Sequence, residues 1–175
     1  MNFAAKITML TTSLILMTSC GSITDKSAEN MSRLSNNNAG FPAYTFYMTT
    51  EENPDYAVYA MPLKFKRLSN IPHMCWKAVP TGDGYVYLQS YDGRSLRTID
   101  FQSLHITNRQ NQTQDIWKWK AELEASGEWM KLKNKAKDGW LMQAQTEASP
   151  RMVRDLSIFA SGDHAFKFHK CASNF

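Results

Sequence analysis

The stretch WKAVPTGDGYVYLQSYDGRSL, Trp76 to Leu96, is echoed 43 residues later by WKAELEASGEWMKLKNKAKDGWL, Trp119 to Leu141. With Trp76 set on Trp119, Lys77 meets Lys120, Ala78 meets Ala121 and Gly84 meets Gly127 without a gap. One inserted residue brings Leu88 onto about Leu132, and two more bring Asp92-Gly93 onto Asp138-Gly139. The shared skeleton is a strand opening on Trp, a loop ending in Gly, an alternating strand and a tight Asp-Gly turn. Asp-Gly suits a two-residue hairpin because both central residues reach positive φ cheaply.

The alternation predicts strands. Tyr85, Tyr87 and Gln89 fall on one face with Val86 and Leu88 on the other, and Trp129, Lys131 and Lys133 oppose Met130 and Leu132. No segment carries a long helical period, so the class is all-β. A fainter third copy starts at YTFYMTTEENPDYAVYAM, Tyr44 to Met61, around a Glu-Asn-Pro-Asp turn. The units close on HMCW at Trp76, DIWKW at Trp119 and HAFKFHKC at Cys171. Three aromatic-ended units of about 40 residues are what a threefold β-trefoil needs; a β-sandwich or a small up-and-down barrel is the alternative.

The first residues, MNFAAKITMLTTSLILMTSC, hold one cation, Lys6, then an uncharged apolar run from Ile7 to Met17 and small polar residues before Cys20. That is the layout of an export signal, too short for a permanent span of roughly 20 apolar residues. Its end, Met17-Thr18-Ser19-Cys20, resembles a bacterial lipobox, which implies diacylglycerol on the Cys20 thiol, with Gly21 pointing to an outer-membrane or cell-surface destination. An ordinary secretory signal, giving a secreted or periplasmic protein, is the alternative. Residues 1–19 are read as the signal, 20–40 as lipidated Cys and flexible tether, and 41–175 as the binding domain. The tether GSITDKSAENMSRLSNNNAG is rich in Ser and Asn and without aromatics, so it buries little apolar surface. All five Trp and all seven Tyr lie after it.

With Cys20 lipidated, Cys75 and Cys171 remain, and an oxidising compartment makes their pairing the simplest outcome. Two buried thiols are the alternative. The formal net charge of +4 is mild and permits contact with anionic groups without demanding nucleic acid. His73, His105, His164 and His169 are scattered, and no nucleophile elbow, zinc helix or phosphate loop occurs, so neither an enzyme nor a cofactor is expected. His164, His169 and Cys171 lack the spacing of a standard zinc finger, and no metal site is expected.

From about residue 43 to 171 the repeated residues resemble the ricin-type β-trefoil lectins, although their Gln-x-Trp string is absent. Joined to the lipobox, the pattern is similar to the A and C binding subunits of cytolethal distending toxins. The resemblance implies a glycan or glycoprotein as partner, with other toxin or surface-assembly subunits as the alternative. Lectins of this kind use an Asp near a turn, an aromatic ring and an amide. The matching positions are Asp92 with Tyr91 or Tyr87, and Asp138 with Trp140 or Trp129; Asn108, Gln112 and Asn134 are the amides. The Asp-Gly pairs are equally explained as turns and the other Trp residues as core.

A basic stripe is a separate expectation. Lys118, Lys120, Lys131, Lys133, Lys135 and Lys137 alternate along two strands that the repeat makes neighbours. It suits an acidic glycan, a lipopolysaccharide phosphate or an acidic protein patch, or else it is the solvated face of an edge strand guarded by Lys.

Overall fold

The computed structural model describes residues 39–69, 72–101, 103–108, 114–143, 148–154 and 163–172. The leader, Cys20 and Gln112 lie outside the described residues. The alternating segments form β1 (Phe46–Thr50), β2 (Tyr56–Ala60), β3 (Leu63–Arg67), β4 (Trp76–Pro80), β5 (Val86–Ser90) and β6 (Ser95–Thr98). They continue as β7 (Leu104–Thr107), β8 (Lys118–Leu123), β9 (Met130–Asn134), β10 (Gly139–Met142), β11 (Arg151–Val153) and β12 (Phe166–Lys170).

Six strands close a ring, each paired antiparallel with the next in the order β1, β4, β5, β8, β9, β12 and back to β1. The others form the hairpins β2–β3, β6–β7 and β10–β11. Each run of four consecutive strands therefore gives two walls of a barrel and one hairpin. Closure excludes a two-sheet sandwich, and ring neighbours that are not consecutive in sequence exclude an up-and-down barrel.

The Trp76 and Trp119 echo is structural. In each unit the first residue of the first strand sits opposite one aromatic of the fourth strand: Phe46 opposite Trp76, Val86 opposite Trp119, Met130 opposite Phe166. All three aromatics are fully buried. Each such side chain stabilises by about 1.5–3 kcal/mol or more on leaving water. An indole N–H taken inside needs an acceptor. Trp76 Nε1 donates to the Val58 carbonyl at 3.0 Å and Trp119 Nε1 to the Leu96 carbonyl at 3.1 Å, each on the second strand of its own unit. Phe166 fills the third place without a donor. Two residues further along the fourth strands, and so away from the hairpins, lies a second layer, Ala78, Ala121 and Phe168.

The first strands also end alike. Thr50, Ser90 and Asn134 are buried polar residues that hold the turns following them. Thr50 Oγ1 accepts from Asn53 N–H, Ser90 Oγ donates to the Asp92 carboxylate, and Asn134 Oδ1 accepts from Ala136 and Lys137 N–H. The two Asp-Gly turns are not the matched two-residue hairpins expected. Ser90 and Arg94 close a three-residue loop with Gly93 at φ 80°. In the other, Asn134 pairs with Gly139 across four residues, and it is Asp138, at φ 49°, that turns left-handed. One of the residues inserted to align the two copies lengthens the β8–β9 connection and one lengthens this turn, so that Gly93 matches Asp138 in position.

The folded body begins before residue 41. The Ala39 carbonyl accepts from Ala121 N–H at 2.8 Å, and a Cβ on Gly40 (φ 81°) would lie 2.3 Å from the Ala121 oxygen, so only glycine fits. Residues 39 and 40, read from composition as the end of the tether, are thus part of the barrel. Phe41 follows, its ring 5.3 Å from Phe168 and 5.9 Å from Phe46. Cys75, just before β4, is bonded to Cys171, just after β12, and the two strands flank the start of β1.

Two tests follow from the packing. Trp76→Phe and Trp119→Phe should each lower stability by about 1–3 kcal/mol in urea unfolding, and by similar amounts, because each leaves one buried carbonyl without its donor. The bridge spans 96 residues, so Cys75→Ser with Cys171→Ser should cost up to about 4 kcal/mol by the same measurement.

Candidate functional site

The β5–β6 turn carries the first set of expected residues. Tyr91 is 47% exposed, among the most open aromatic side chains described. Its ring meets His73 edge-on at 6.0 Å, and His73 in turn meets Tyr59 at 5.8 Å. His73 Nδ1 is buried and without a hydrogen-bond partner. Beside it the Asp92 carboxylate accepts from Ser90 Oγ at 2.7 Å, from Arg94 Nε at 2.7 Å and from Arg94 N–H at 3.4 Å. Burial pushes this carboxyl up, but the Ser90 and Arg94 donors outweigh it and hold it below the usual carboxylate range. Tyr87 is on the barrel wall opposite Val79 and Lys118, and Asn108 is exposed just past β7.

The β9–β10 turn carries the second set. Asp138 is almost fully exposed and pairs with Lys133 Nζ at 2.6 Å. Lys133 stands cross-strand from Trp140, with its ammonium 5.2 Å above the indole. Asp138 and Trp140 are therefore brought together, with a lysine over the ring. Trp129 is covered likewise by Lys167 at 5.2 Å. Asn134, expected to offer its amide to a ligand, is instead fully buried. Its Nδ2 donates to the Ile116 and Lys118 carbonyls and its Oδ1 accepts two turn N–H groups.

The basic stripe is largely neutralised. Lys118 Nζ lies 2.8 Å from Asp83 and 3.1 Å from Asp115, and Lys135 Nζ lies 3.0 Å and 3.1 Å from the same two carboxylates. Lys120 pairs with Glu122, Lys131 with Glu124 and Lys133 with Asp138. Lys137 gives its backbone N–H to Asn134. The edge-strand reading is also corrected, because β8 is paired on both sides, by β5 and β9, and β9 by β8, β10 and β12. Hydrogen bonds from Lys118, Thr81 and Lys135 hold Asp83 far below the usual range, and Asp83 and Asp115 raise Lys118.

The histidines do not assemble with Cys171, whose sulfur is in the disulfide. His164 is buried 3.6 Å from Glu124, and burial pushes its imidazole down against the pull of that carboxylate. His169 shares a 2.9 Å hydrogen bond with Thr49 and stacks on Tyr47 at 4.7 Å.

Sequence reasoning missed a cavity of about 570 Å³ at the hairpin end of the barrel. All three units line it. The Met61–Pro62–Leu63 tip comes from the first, Arg94 and the Leu104–His105–Ile106 edge from the second, and Ser149 from the third. Arg94 thus joins the Asp92 turn to this recess. No motif announces such a site, because its wall is drawn from segments far apart in the chain.

No protein-family profile matches the chain, and no curated protein matches it in sequence. Solved structures do. The designed threefold-symmetric protein ThreeFoil is similar at TM-score 0.58 and 14% identity, over 71% of this chain and 96% of that one. The fold is a β-trefoil. SeviL, solved bound to asialo-GM1 saccharide, is similar at TM-score 0.59 and 12% identity, over 73% of this chain and 98% of SeviL. A mosquitocidal holotoxin is similar at TM-score 0.65 and 9% identity, over 74% of this chain but 17% of the toxin.

The four-charge group gives a pH test. Its stabilisation is present above the ordinary carboxylate pKa of about 3.9 and is lost as pH falls through the lowered values of Asp83 and Asp115. On the alkaline side it is present below the ordinary lysine pKa of about 10.4 and lost only as pH rises through the raised values of Lys118 and Lys135. The melting temperature of the parent minus that of Asp83→Asn should therefore be largest between about pH 5 and 9. It should shrink in stronger acid and in high salt.

Proposed function

We propose that this trefoil is an exported binding module for a glycan or glycoprotein, held to the outer membrane or cell surface by lipid on Cys20. The observation that carries the reading is the β5–β6 turn. Tyr91 presents a half-exposed ring, His73 backs it edge-on, and Asp92 follows it in the turn, fixed by Ser90 and Arg94. A flat apolar ring flanked by directional polar groups is the arrangement that suits a pyranose face and its hydroxyls. Asp138 with Trp140 on the β9–β10 hairpin forms a second, weaker candidate, because Lys133 already covers the indole. The saccharide in the SeviL structure supports sugar binding on this fold, and the lipobox at Cys20 supports the anchor.

A second reading, a subunit of a secreted toxin or surface assembly that binds protein, draws on the likeness to part of the mosquitocidal holotoxin. The mild net charge and the paired lysine stripe favour neither reading through nucleic acid.

A glycan array followed by tryptophan-fluorescence titration decides between them. Saturable sugar binding weakened about tenfold or more by Tyr91→Ala supports the lectin reading, a loss of about 1.4 kcal/mol or more. A flat response to every glycan transfers the weight to a protein partner. For the anchor, palmitate labelling should be lost in Cys20→Ala; unchanged processing and membrane association in that variant refutes it.

A further inference from the structure

The cavity between the three units has a chemistry that stacking at Tyr91 does not explain. It is an open recess of about 570 Å³, a volume within the range of small-molecule sites. Met61, Pro62 and Leu63 form one apolar wall, and Leu104 and Ile106 belong to the opposite unit. Among the described residues that line it there is no carboxylate, and the charged or basic groups are Arg94 and His105. The hydroxyl of Ser149 is already spent on the Leu63 carbonyl at 2.8 Å.

Arg94 is held in place before any ligand arrives. Its Nε donates to Asp92 Oδ2 at 2.7 Å, which fixes the plane of the guanidinium. Nη2 lies 2.7 Å from the same oxygen, an ion-pair distance, but is not aligned for a hydrogen bond and is screened from solvent. The Nε and Nη2 edge of the guanidinium is thus occupied by Asp92. A guanidinium clamped along one edge keeps its other N–H groups for a planar anion, and a carboxylate matches that fork. Because Asp92 balances the charge, recognition depends on direction more than on net attraction.

We propose that this cavity binds a small acid, with one carboxylate received by Arg94 and His105 and an apolar body between the Met61–Leu63 wall and Leu104 and Ile106. Two sources share that chemistry, an acidic sugar of the sialic type with its acyl methyl and a short-chain fatty acid. The site does not depend on the lectin reading, since Tyr91 is not among the residues that line it.

Calorimetric titration of the purified full chain tests it, with octanoate, octanamide, the α-methyl glycoside of N-acetylneuraminic acid and the methyl ester of that glycoside as probes. One acid should bind saturably, and its neutral counterpart about tenfold or more weakly. Which acid binds identifies the source. Arg94→Gln should weaken binding about tenfold or more. Since Arg94 also steadies the Asp92 turn, Leu104→Trp is the second variant. It fills the recess from the opposite wall and should abolish binding while circular dichroism shows an unchanged melt. Tyr91→Ala should leave acid binding intact, which separates this site from any sugar platform on the turn. The proposal is overturned if neither acid binds, if a neutral counterpart binds as tightly, or if Leu104→Trp still binds.

Discussion

The ring closes because an aromatic side chain of each unit's fourth strand sits against the first residue of that unit's first strand. Trp76, Trp119 and Phe166 occupy equivalent places between barrel and hairpin, and two of them pin the hairpin through an indole N–H. A barrel strand contributes little alone, since an isolated hairpin is marginal in water. The aromatic layer couples each hairpin to two walls, so that burial and hydrogen bonding are gained together. The buried Thr50, Ser90 and Asn134 then fix where each first strand stops, and hence where each following turn projects.

From those turns the candidate chemistry follows. Ser90 orients Asp92, Asp92 orients Arg94, and Arg94 faces a recess completed by the other two units. The same principle disables other candidates. Asn134 performs the turn-holding role in the third unit and has no capacity left for a ligand. Trp129 and Trp140 have a lysine over their rings, and the lysine stripe faces acids on neighbouring segments. Much of the described surface is self-satisfied, so the inter-unit recess stands out against it. Fold likeness alone does not make it functional; its own geometry carries that argument.

Much of the architecture was legible because it rests on local pattern. Period-two alternation from Val86 to Ser90 and from Met130 to Asn134 became inward and outward faces, and the Trp76–Trp119 echo became equivalent positions. The turns were read less well, because Asp-Gly permits several loop lengths and one inserted residue moves the left-handed position from Gly93 to Asp138. The site was least legible. Asp83 neutralises lysines 35 and 52 residues away, and Met61 shares a recess with Ser149 only after three units close. Such contacts are created by topology and leave no local trace in composition or spacing.

The way the chain enters the barrel distinguishes its two ends. Ala39 and Gly40 dock on Ala121 in the layer remote from the hairpins, with Phe41 tucked against Phe168. The described chain therefore enters the barrel at its base, and the hairpin turn that carries Tyr91 and the three-unit recess lie at the opposite end.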